Sequence, residues 1–360
     1  MEYYVFASND CNLKCSYCSV LLNLETEQIP KEPIYSLELL NNFINETQIK
    51  YNDTIADIIF FGGEPTLNFD FIEKLMQSQL ADKCLPFRYR YMLHTNGLLL
   101  ANIPDNVLNN LNSIMLSINY ERVPHSSLDQ GYFKLILDSV HSIKKRRTLP
   151  IVARLTITEE TSLYTEVALL NPFFDAIYWQ IENKYAFKNF NSFYATYVYE
   201  LSITFNMWLQ YLKRGILLRL IPFISSAFFL LHDHDVSNFC CGYNNSMIYV
   251  QTNGNCYTCA EDMTTNQNLI GKIDAGFCFD SFGLNNTICK SCDYLPLCMG
   301  RCGRMHREFE IQHINEYCKL NRVLFDLIKE NISEIKEYCD KYSIIFDLTD
   351  PIYHYTEYTP

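Results

Sequence analysis

The placement of cysteine constrains this chain more than any other feature. Of its fifteen cysteines, three lie at positions 11, 15 and 18, one at 84, and eleven between 240 and 339. Residues 19–239 therefore hold one cysteine, whereas 240–318 hold ten. Thiols used as small core hydrophobes would be scattered, so clustered thiols read as ligand sets. A disulfide framework is the competing explanation, but it belongs to short secreted chains. This chain has 360 residues and opens Met1-Glu2-Tyr3-Tyr4-Val5-Phe6, with neither the basic region nor the long apolar run of a signal peptide. The expectation is a cytoplasmic protein whose thiols stay reduced and open to metal.

Composition narrows the class. An apolar content of 48% with 19% charged residues excludes disorder. The length suits two domains at about 150 residues each. A net charge of −12 argues against nucleic acid, which needs clustered Lys and Arg. The most apolar segment, Gly215 to Leu231, is interrupted by Arg219 and Pro222 and falls short of a membrane span.

Short apolar runs alternate with amphipathic ones through residue 220. The expected strands are Tyr3–Ala7, Asp57–Phe61, Arg88–His94, Ser113–Ile118, Ile151–Ile157 and Ala176–Gln180. Helical spacing follows over Ser36–Lys50, Phe69–Leu80, Tyr132–Lys144 and Asn191–Tyr211. Strand–helix alternation implies a parallel sheet, and six such units give an α/β, partial (β/α)6 TIM-like barrel over residues 1–231. Chemistry in such barrels collects at the C-terminal strand ends. Residues 232–322 form a cysteine-rich domain with a hairpin, Met247–Gln251 to Cys256–Cys259, turning at Asn253-Gly254. A terminal helix over Asn321–Tyr342 and a tail complete 323–360.

Cys11-Asn-Leu-Lys-Cys15-Ser-Tyr-Cys18 follows the first strand directly. Three thiolates on one short loop hold three corners of a cubic iron–sulfur cluster and leave the fourth iron open. Structural zinc would need a fourth ligand, and the next histidine is His94. With Tyr17 before the last cysteine, the triad resembles that of radical S-adenosylmethionine (AdoMet) enzymes. The resemblance implies a [4Fe-4S] cluster whose open iron is chelated by AdoMet. An electron from the cluster then cleaves the sulfonium, and the resulting 5′-deoxyadenosyl radical abstracts a substrate hydrogen.

Phe60-Phe61-Gly62-Gly63-Glu64-Pro65 ends the second strand, where two glycines permit close backbone approach and a carboxylate suits an ammonium. In the family this segment receives the methionyl amino group. His94-Thr95-Asn96-Gly97 ends the third strand, where the family often has Thr-Asn-Gly. Ser117-Ile118-Asn119 ends the fourth, with Asn119-Tyr120 replacing the family's Asp-Gly; His125 is present, but Asp129 stands where an arginine is common. Arg154 on the fifth strand is the substitute for the carboxylate contact. The implied cofactor-binding set is Tyr17, Gly62, Gly63, Glu64, Pro65, Asn96, Ser117, Asn119 and Arg154.

Downstream, Cys289-x2-Cys292-x5-Cys298-x3-Cys302 and then Cys318 form the densest array, preceded by Cys241 and by Gly254-x4-Cys259. A zinc ribbon would account for Cys289, Cys292, Cys298 and Cys302 but not for Cys241, Cys259 and Cys318. All seven resemble the SPASM extension of one radical AdoMet branch, which carries two auxiliary [4Fe-4S] clusters. The resemblance gives Cys289, Cys292, Cys298 and Cys318 to the distal cluster and Cys241, Cys259 and Cys302 to the nearer one. The nearer cluster's fourth ligand is Cys240, Cys256 or Cys278, or the position is open. Cys84 and Cys339 lie outside every pattern and are expected to be buried and structural.

The SPASM branch mostly modifies peptides and proteins. Its sulfatase maturases carry an Asp directly after the Gly-x4-Cys cysteine; here that position is Ala260, followed by Glu261 and Asp262, the candidate general bases. The expected activity is therefore maturation of a ribosomally made peptide by a thioether or carbon–carbon cross-link. The alternatives are anaerobic sulfatase maturation, forming formylglycine, and a non-catalytic iron–sulfur electron-transfer protein. Ten residues precede Cys11, too few for a leader-binding domain, so leader recognition is expected to use a separate leader-binding protein or the barrel and tail themselves. A precursor peptide and an electron donor such as flavodoxin or ferredoxin complete the expected partners.

Overall fold

The computed structural model describes residues 1–15, 17–18, 20, 29–119, 131–184, 186–232, 239, 241, 243, 245–261, 263, 268–279, 283–284, 287–353 and 360. Tyr120, His125, Asp129, Cys240 and Asp262 lie outside the described residues. The chain divides into two compact units. The first is Met1–Ser117, Val123–Pro150 and Asn245–Ser281; the second is Ile118–Arg122, Ile151–Asn244 and Phe282–Pro360.

All six expected strands form: β1 Glu2–Ser8, β2 Ile55–Gly62, β3 Arg88–Thr95, β4 Ser113–Ser117, β5 Ile151–Ile157 and β6 Ala176–Ile181. In the first unit β1–β4 are neighbours in that order and pair in parallel. Their central residues, Tyr3–Ala7, Ile58–Phe60, Tyr91–Leu93 and Ile114–Leu116, are buried and apolar on both faces, as parallel strands covered on both sides must be. Phe6 pairs with Phe61, and His94 with Met115. The period of two then puts Tyr4, Phe6, Phe61 and His94 on one face. Phe61 touches His94 at 5.1 Å and Phe6 at 5.3 Å between ring centroids. On the opposite face Tyr3 meets Phe43 of helix α1 (Leu37–Tyr51).

Local signals set the helices. Ser36 caps α1 by accepting Leu39 N–H, and Asn52 ends it in the left-handed region. Asn68 caps α2 (Phe69–Ala81) and donates to Ala7 O at 3.0 Å, tying the cap to the tip of β1. Helix α3 (Gly131–Arg146) follows in the same unit.

The hairpin forms as β7 (Met247–Val250) and β8 (Asn255–Tyr257), with Gly254 at φ +84. The period of the hairpin did not indicate its neighbour. β7 pairs in parallel with β1, Tyr4 beside Tyr249, and their rings stack at 4.4 Å. Strands β9 (Leu269–Lys272) and β10 (Gly276–Phe277) continue outward in antiparallel pairs.

The second unit contains the parallel pair β5–β6, with helices α4 (Leu163–Leu170), α5 (Phe190–Leu212) and α6 (Ile221–Leu231). Its core is aromatic: Trp179, Phe205 and Trp208 all pack on Phe223. Helix α7 (Gly303–Glu308) precedes the long α8 (Ile311–Tyr342), which packs on α5 and α6. The helix starts ahead of the expected Asn321 because Ile314, Tyr317 and Leu320 are already buried at helical spacing. It therefore carries Cys318.

Cys339 is buried as expected, whereas Cys84 is exposed in the connection after α2, its N–H donated to the Asp82 side chain. Polar turn residues keep that segment at the surface. Among the described residues no helix is long and apolar enough to cross a membrane.

Candidate active site

The tips of β1, β2 and β3 form one hydrogen-bonded unit in the first compact unit. Gly63 N–H donates to Ser8 O at 2.9 Å and Glu64 N–H to Asp10 O at 2.8 Å, so β2 presses on the backbone just ahead of Cys11. Both glycines are required there. A Cβ on Gly62 would lie 2.1 Å from Ser8 O, and one on Gly63 2.5 Å from Asp10 O.

Glu64 is 1% exposed. Its Oε1 accepts Thr66 Oγ1 at 2.5 Å, Thr95 Oγ1 at 2.6 Å and Thr66 N–H at 3.1 Å; Oε2 accepts Asn96 N–H at 2.8 Å. Burial pushes this carboxyl above its ordinary value, while the four donors pull it back. Within the chain, Glu64 thus clamps the end of β2 to the end of β3. Thr66 and Thr95 went unmarked as partners because nothing local shows that they meet one carboxylate. Asn96 donates its amide to Asn12 Oδ1 at 2.7 Å and to Cys11 Sγ at 3.9 Å. Ser117 Oγ lies 2.9 Å from His94 Nε2, and Pro65 opens a short 3-10 turn.

The three thiols share this region. Leu13 N–H donates to Cys11 Sγ at 3.4 Å, and Cys18 N–H to Cys15 O at 3.1 Å. Burial pushes the Cys11 thiol up to about 11 and the Cys15 thiol up to about 12. The other two thiolates hinder ionisation of Cys15 further, while the Tyr17 side chain helps it. Thiols in such a setting deprotonate when a metal takes the place of the proton. Among the described residues no three His, Cys, Asp or Glu side chains converge on a single ion. A cubic cluster does not ask this of its donors, because each thiolate meets a different iron. The donor set, three half-buried thiols on one loop with the glycine-bearing tip of β2 packed against it, fits a cluster with AdoMet.

Asn9 anchors the loop from behind. Its side-chain amide donates to Pro30 O at 2.8 Å, Gln251 Oε1 at 2.8 Å and Thr252 Oγ1 at 2.6 Å, joining β1 to the β7–β8 turn. Cys259, Ala260 and Glu261 follow β8 and are partly buried; Cys256 is fully buried in β8, and Cys278 is exposed.

In the second unit, Asn119 and Thr156 exchange two side-chain-to-backbone hydrogen bonds at 3.2 Å, and Arg154 donates to Gln180 Oε1. Cys289, Cys292, Cys298 and Cys318 lie near enough for their charges to act on one another. Thr287 caps the turn bearing Cys289, and Met299, Gly300 and Arg301 all have positive φ, bending the chain between Cys298 and Cys302. Arg322, one turn after Cys318, donates to Cys292 Sγ at 3.9 Å, and His306 Nε2 lies 3.4 Å from Cys289 Sγ. Buried Arg301 donates to Ile181 O, Asn183 Oδ1 and the carbonyl of Pro360, with Tyr317 beneath it. Gly303 N–H donates to Cys241 Sγ at 3.3 Å, and Asn183 Nδ2 to Cys302 Sγ at 3.9 Å. These polar partners had no spacing signal.

Residues 5–124 match the family model described as the Radical SAM superfamily. A cysteine-type anaerobic sulfatase-maturating enzyme of Clostridium perfringens is 22% identical over 362 residues, covering 89% of this chain and 94% of that protein. A second C. perfringens protein of the same description is 33% identical over 95 residues; this chain spans only 25% of its length. The radical SAM cyclopropyl synthase TigE of Paramaledivibacter caminithermalis is 33% identical over 103 residues, 26% of this chain and 21% of that one. The solved structure of hexahistidine-tagged anSMEcpe with bound AdoMet superposes with a TM-score of 0.74 at 20% identity, covering 99% of each chain. That likeness bears out the α/β, TIM-like fold class. Residues 5–124 thus form a radical SAM domain, and the chain is an enzyme with AdoMet and iron–sulfur as its cofactors.

Proposed function

We propose that this enzyme takes a hydrogen atom from a ribosomally made precursor peptide and closes a thioether or carbon–carbon cross-link in it. When bound, AdoMet and the cluster held by Cys11, Cys15 and Cys18 supply the radical that removes the hydrogen. The chain supplies position. Gly62 and Gly63 let the tip of β2 press against the backbone of Ser8 to Asp10 just ahead of the triad, and this edge is the proposed receiver of the methionyl amino group. The Glu64 clamp fixes that edge against Asn96, which in turn fixes Asn12 beside Cys11. Tyr17, Pro65, Ser117 and Asn119 are the remaining proposed AdoMet contacts, with Arg154 for its carboxylate.

Cys289, Cys292, Cys298 and Cys318 are assigned to one auxiliary [4Fe-4S] cluster, and Cys241, Cys259 and Cys302 to another. Glu261 or Asp262 is the proposed base. A flavodoxin or ferredoxin would supply electrons, and a separate leader-binding protein would present the peptide in the cytoplasm.

The observation that carries cross-linking over formylglycine formation is Ala260, directly after Cys259, where the sulfatase maturases resemble one another in having Asp. A second reading, sulfatase maturation, is supported by the near full-length likeness to the C. perfringens enzyme. A peptide substrate is supported by a further solved relative, anSMEcpe with AdoMet and a Cp18Cys peptide bound, at TM-score 0.68 and 19% identity. The test is anaerobic turnover with two substrates, read by mass spectrometry: a neighbouring-gene peptide and a cysteine-containing sulfatase peptide. Loss of two hydrogens mapped to a cross-link supports the first reading. Exchange of the cysteine sulfur for an aldehyde oxygen overturns it in favour of the second.

A further inference from the structure

We infer that the cleft between α1, α2 and the start of β3 is a binding site for a guanidinium group carried by a peptide. The cleft has a volume of about 290 Å³ and lies on the helix-covered face of the first unit. At its inner wall stands Gln79, on the buried stripe of α2 that otherwise carries Ile72, Leu75 and Met76. Gln79 is only 2% exposed, and among the described residues neither its carbonyl oxygen nor its amide nitrogen has a partner. Beside it, Asn41 uses its amide nitrogen on Ser78 Oγ at 2.9 Å and leaves Oδ1 buried and unmet. A packing position would take an apolar side chain here. Buried amides without partners instead mark groups waiting for a ligand or for water.

The chemistry of the lining selects the ligand. Asn41 and Gln79, each with a buried carbonyl oxygen unmet among the described residues, line the cleft together with the exposed carboxylates of Glu38 and Asp82. Among the described residues no Lys, Arg or His lines it. A guanidinium offers five N–H donors and no acceptor, the complement of this set. Leu85 and the Tyr89 ring, the latter held by its hydroxyl on Asn45 Oδ1 at 2.8 Å, provide apolar wall for the methylene stem. The volume falls just under the roughly 300–1,000 Å³ of pockets that take whole ligands, so the cleft suits a side chain rather than a second AdoMet. The buried unmet donor among the described lining residues, Gln79 Nε2, needs an acceptor close to the fork. A peptide carbonyl supplies one and a polyamine does not. The choice of a peptide as bearer rests on the function proposed above; the guanidinium site does not.

Calorimetric titration of the full-length, cluster-loaded enzyme with N-acetyl-arginine amide tests the inference, with N-acetyl-norleucine amide, free arginine and spermidine as comparisons. The arginine amide should bind saturably and the norleucine amide should not. Gln79→Leu should weaken binding at least tenfold and Asp82→Asn, a surface change, several-fold, both with peptide-free AdoMet cleavage unchanged. Absence of saturable binding, or equal binding by Gln79→Leu, overturns the site and identifies a hydrated gap. Spermidine or free arginine binding as tightly as the amide overturns the peptide as bearer. Loss of AdoMet cleavage in the unsubstituted enzyme would instead overturn the function proposed above.

Discussion

The carboxylate of Glu64 accepts the backbone N–H of Asn96 at 2.8 Å, so the residue after the double glycine holds the residue after the third strand. Glu64→Gln must turn an NH2 group toward one of four donors. Leaving a buried polar group unmatched costs about 1–3 kcal/mol. The variant should unfold at lower urea concentration by that amount and cleave AdoMet more slowly, as measured by denaturation and 5′-deoxyadenosine formation.

Gly63→Ala would put a methyl 2.5 Å from Asp10 O and 2.6 Å from Asn9 O. Both are backbone atoms of the loop entering the triad, so the loop must move; overpacking of this kind costs about 1–3 kcal/mol. Iron bound by a variant lacking the auxiliary cysteines should fall, whereas Gly283→Ala, with nothing within 4 Å of its Cβ, should leave iron content unchanged.

Cys298 lies among three other thiols, whereas Cys256 is enclosed in the β7–β8 hairpin with its thiol pushed up by burial. Cys298→Ala should lower the anaerobic iron count by about four per chain, the content of one [4Fe-4S] cluster. Cys256→Ala should retain the full count. Equal loss in both would identify Cys256 as a ligand.

Arg322 brings a positive charge and an N–H to Cys292 Sγ. Hydrogen bonds to sulfur and nearby positive charge both favour the reduced, more negative cluster. Arg322→Gln should move the midpoint potential of the cluster assigned to these cysteines downward, and Arg322→Lys should move it less. A redox titration followed by electron paramagnetic resonance reads the shift.

Glu2 lies beside the Asp57–Arg90 pair, whose two bonds of 2.6 and 2.7 Å occupy one edge of the guanidinium. Burial, and then the charge of Asp57, push the Glu2 carboxyl up to about 7, against help from the Tyr4 hydroxyl, the N-terminus and Arg90. A raised folded pKa means the fold favours the protonated acid. Its stabilisation is complete below the ordinary value of 4.5 and is lost as pH rises through about 7. Glu2→Gln should therefore match the parent's Tm at pH 4 to 5 and exceed it at pH 8. The gain should be a few degrees, since 1 kcal/mol is about 2–4 °C for 150–250 residues and less for a longer chain. Thermal scans across that range measure it.

Much of the site is legible from spacing because iron–sulfur chemistry requires thiols at short, fixed intervals. Cys11, Cys15 and Cys18, and the set from Cys289 to Cys302, are local facts of that kind. Parallel strands likewise announce themselves through apolar runs, and α1 and α2 through their Ser36 and Asn68 caps. The amphipathic period also marked the last helix, but only from Asn321. Burial of Ile314 and Tyr317 against other helices extends it back to Ile311 and places Cys318 on its first turns.

The amino-acid sequence by itself determined the chemistry available: which loops carry thiols, where backbone lies bare at Gly62-Gly63, and that six strand–helix units precede a cysteine-rich region. Only the tertiary structure decided who meets whom. It turned Glu64 inward onto Thr66, Thr95 and Asn96, laid β7 along β1, brought Asn9 to Gln251, set Arg322 on Cys292, and left Cys84 exposed. The physical reason is that a donor's partner across a sheet depends on register and on which face each side chain takes. Both follow from burying the whole apolar surface at once, and no short window of residues contains that sum.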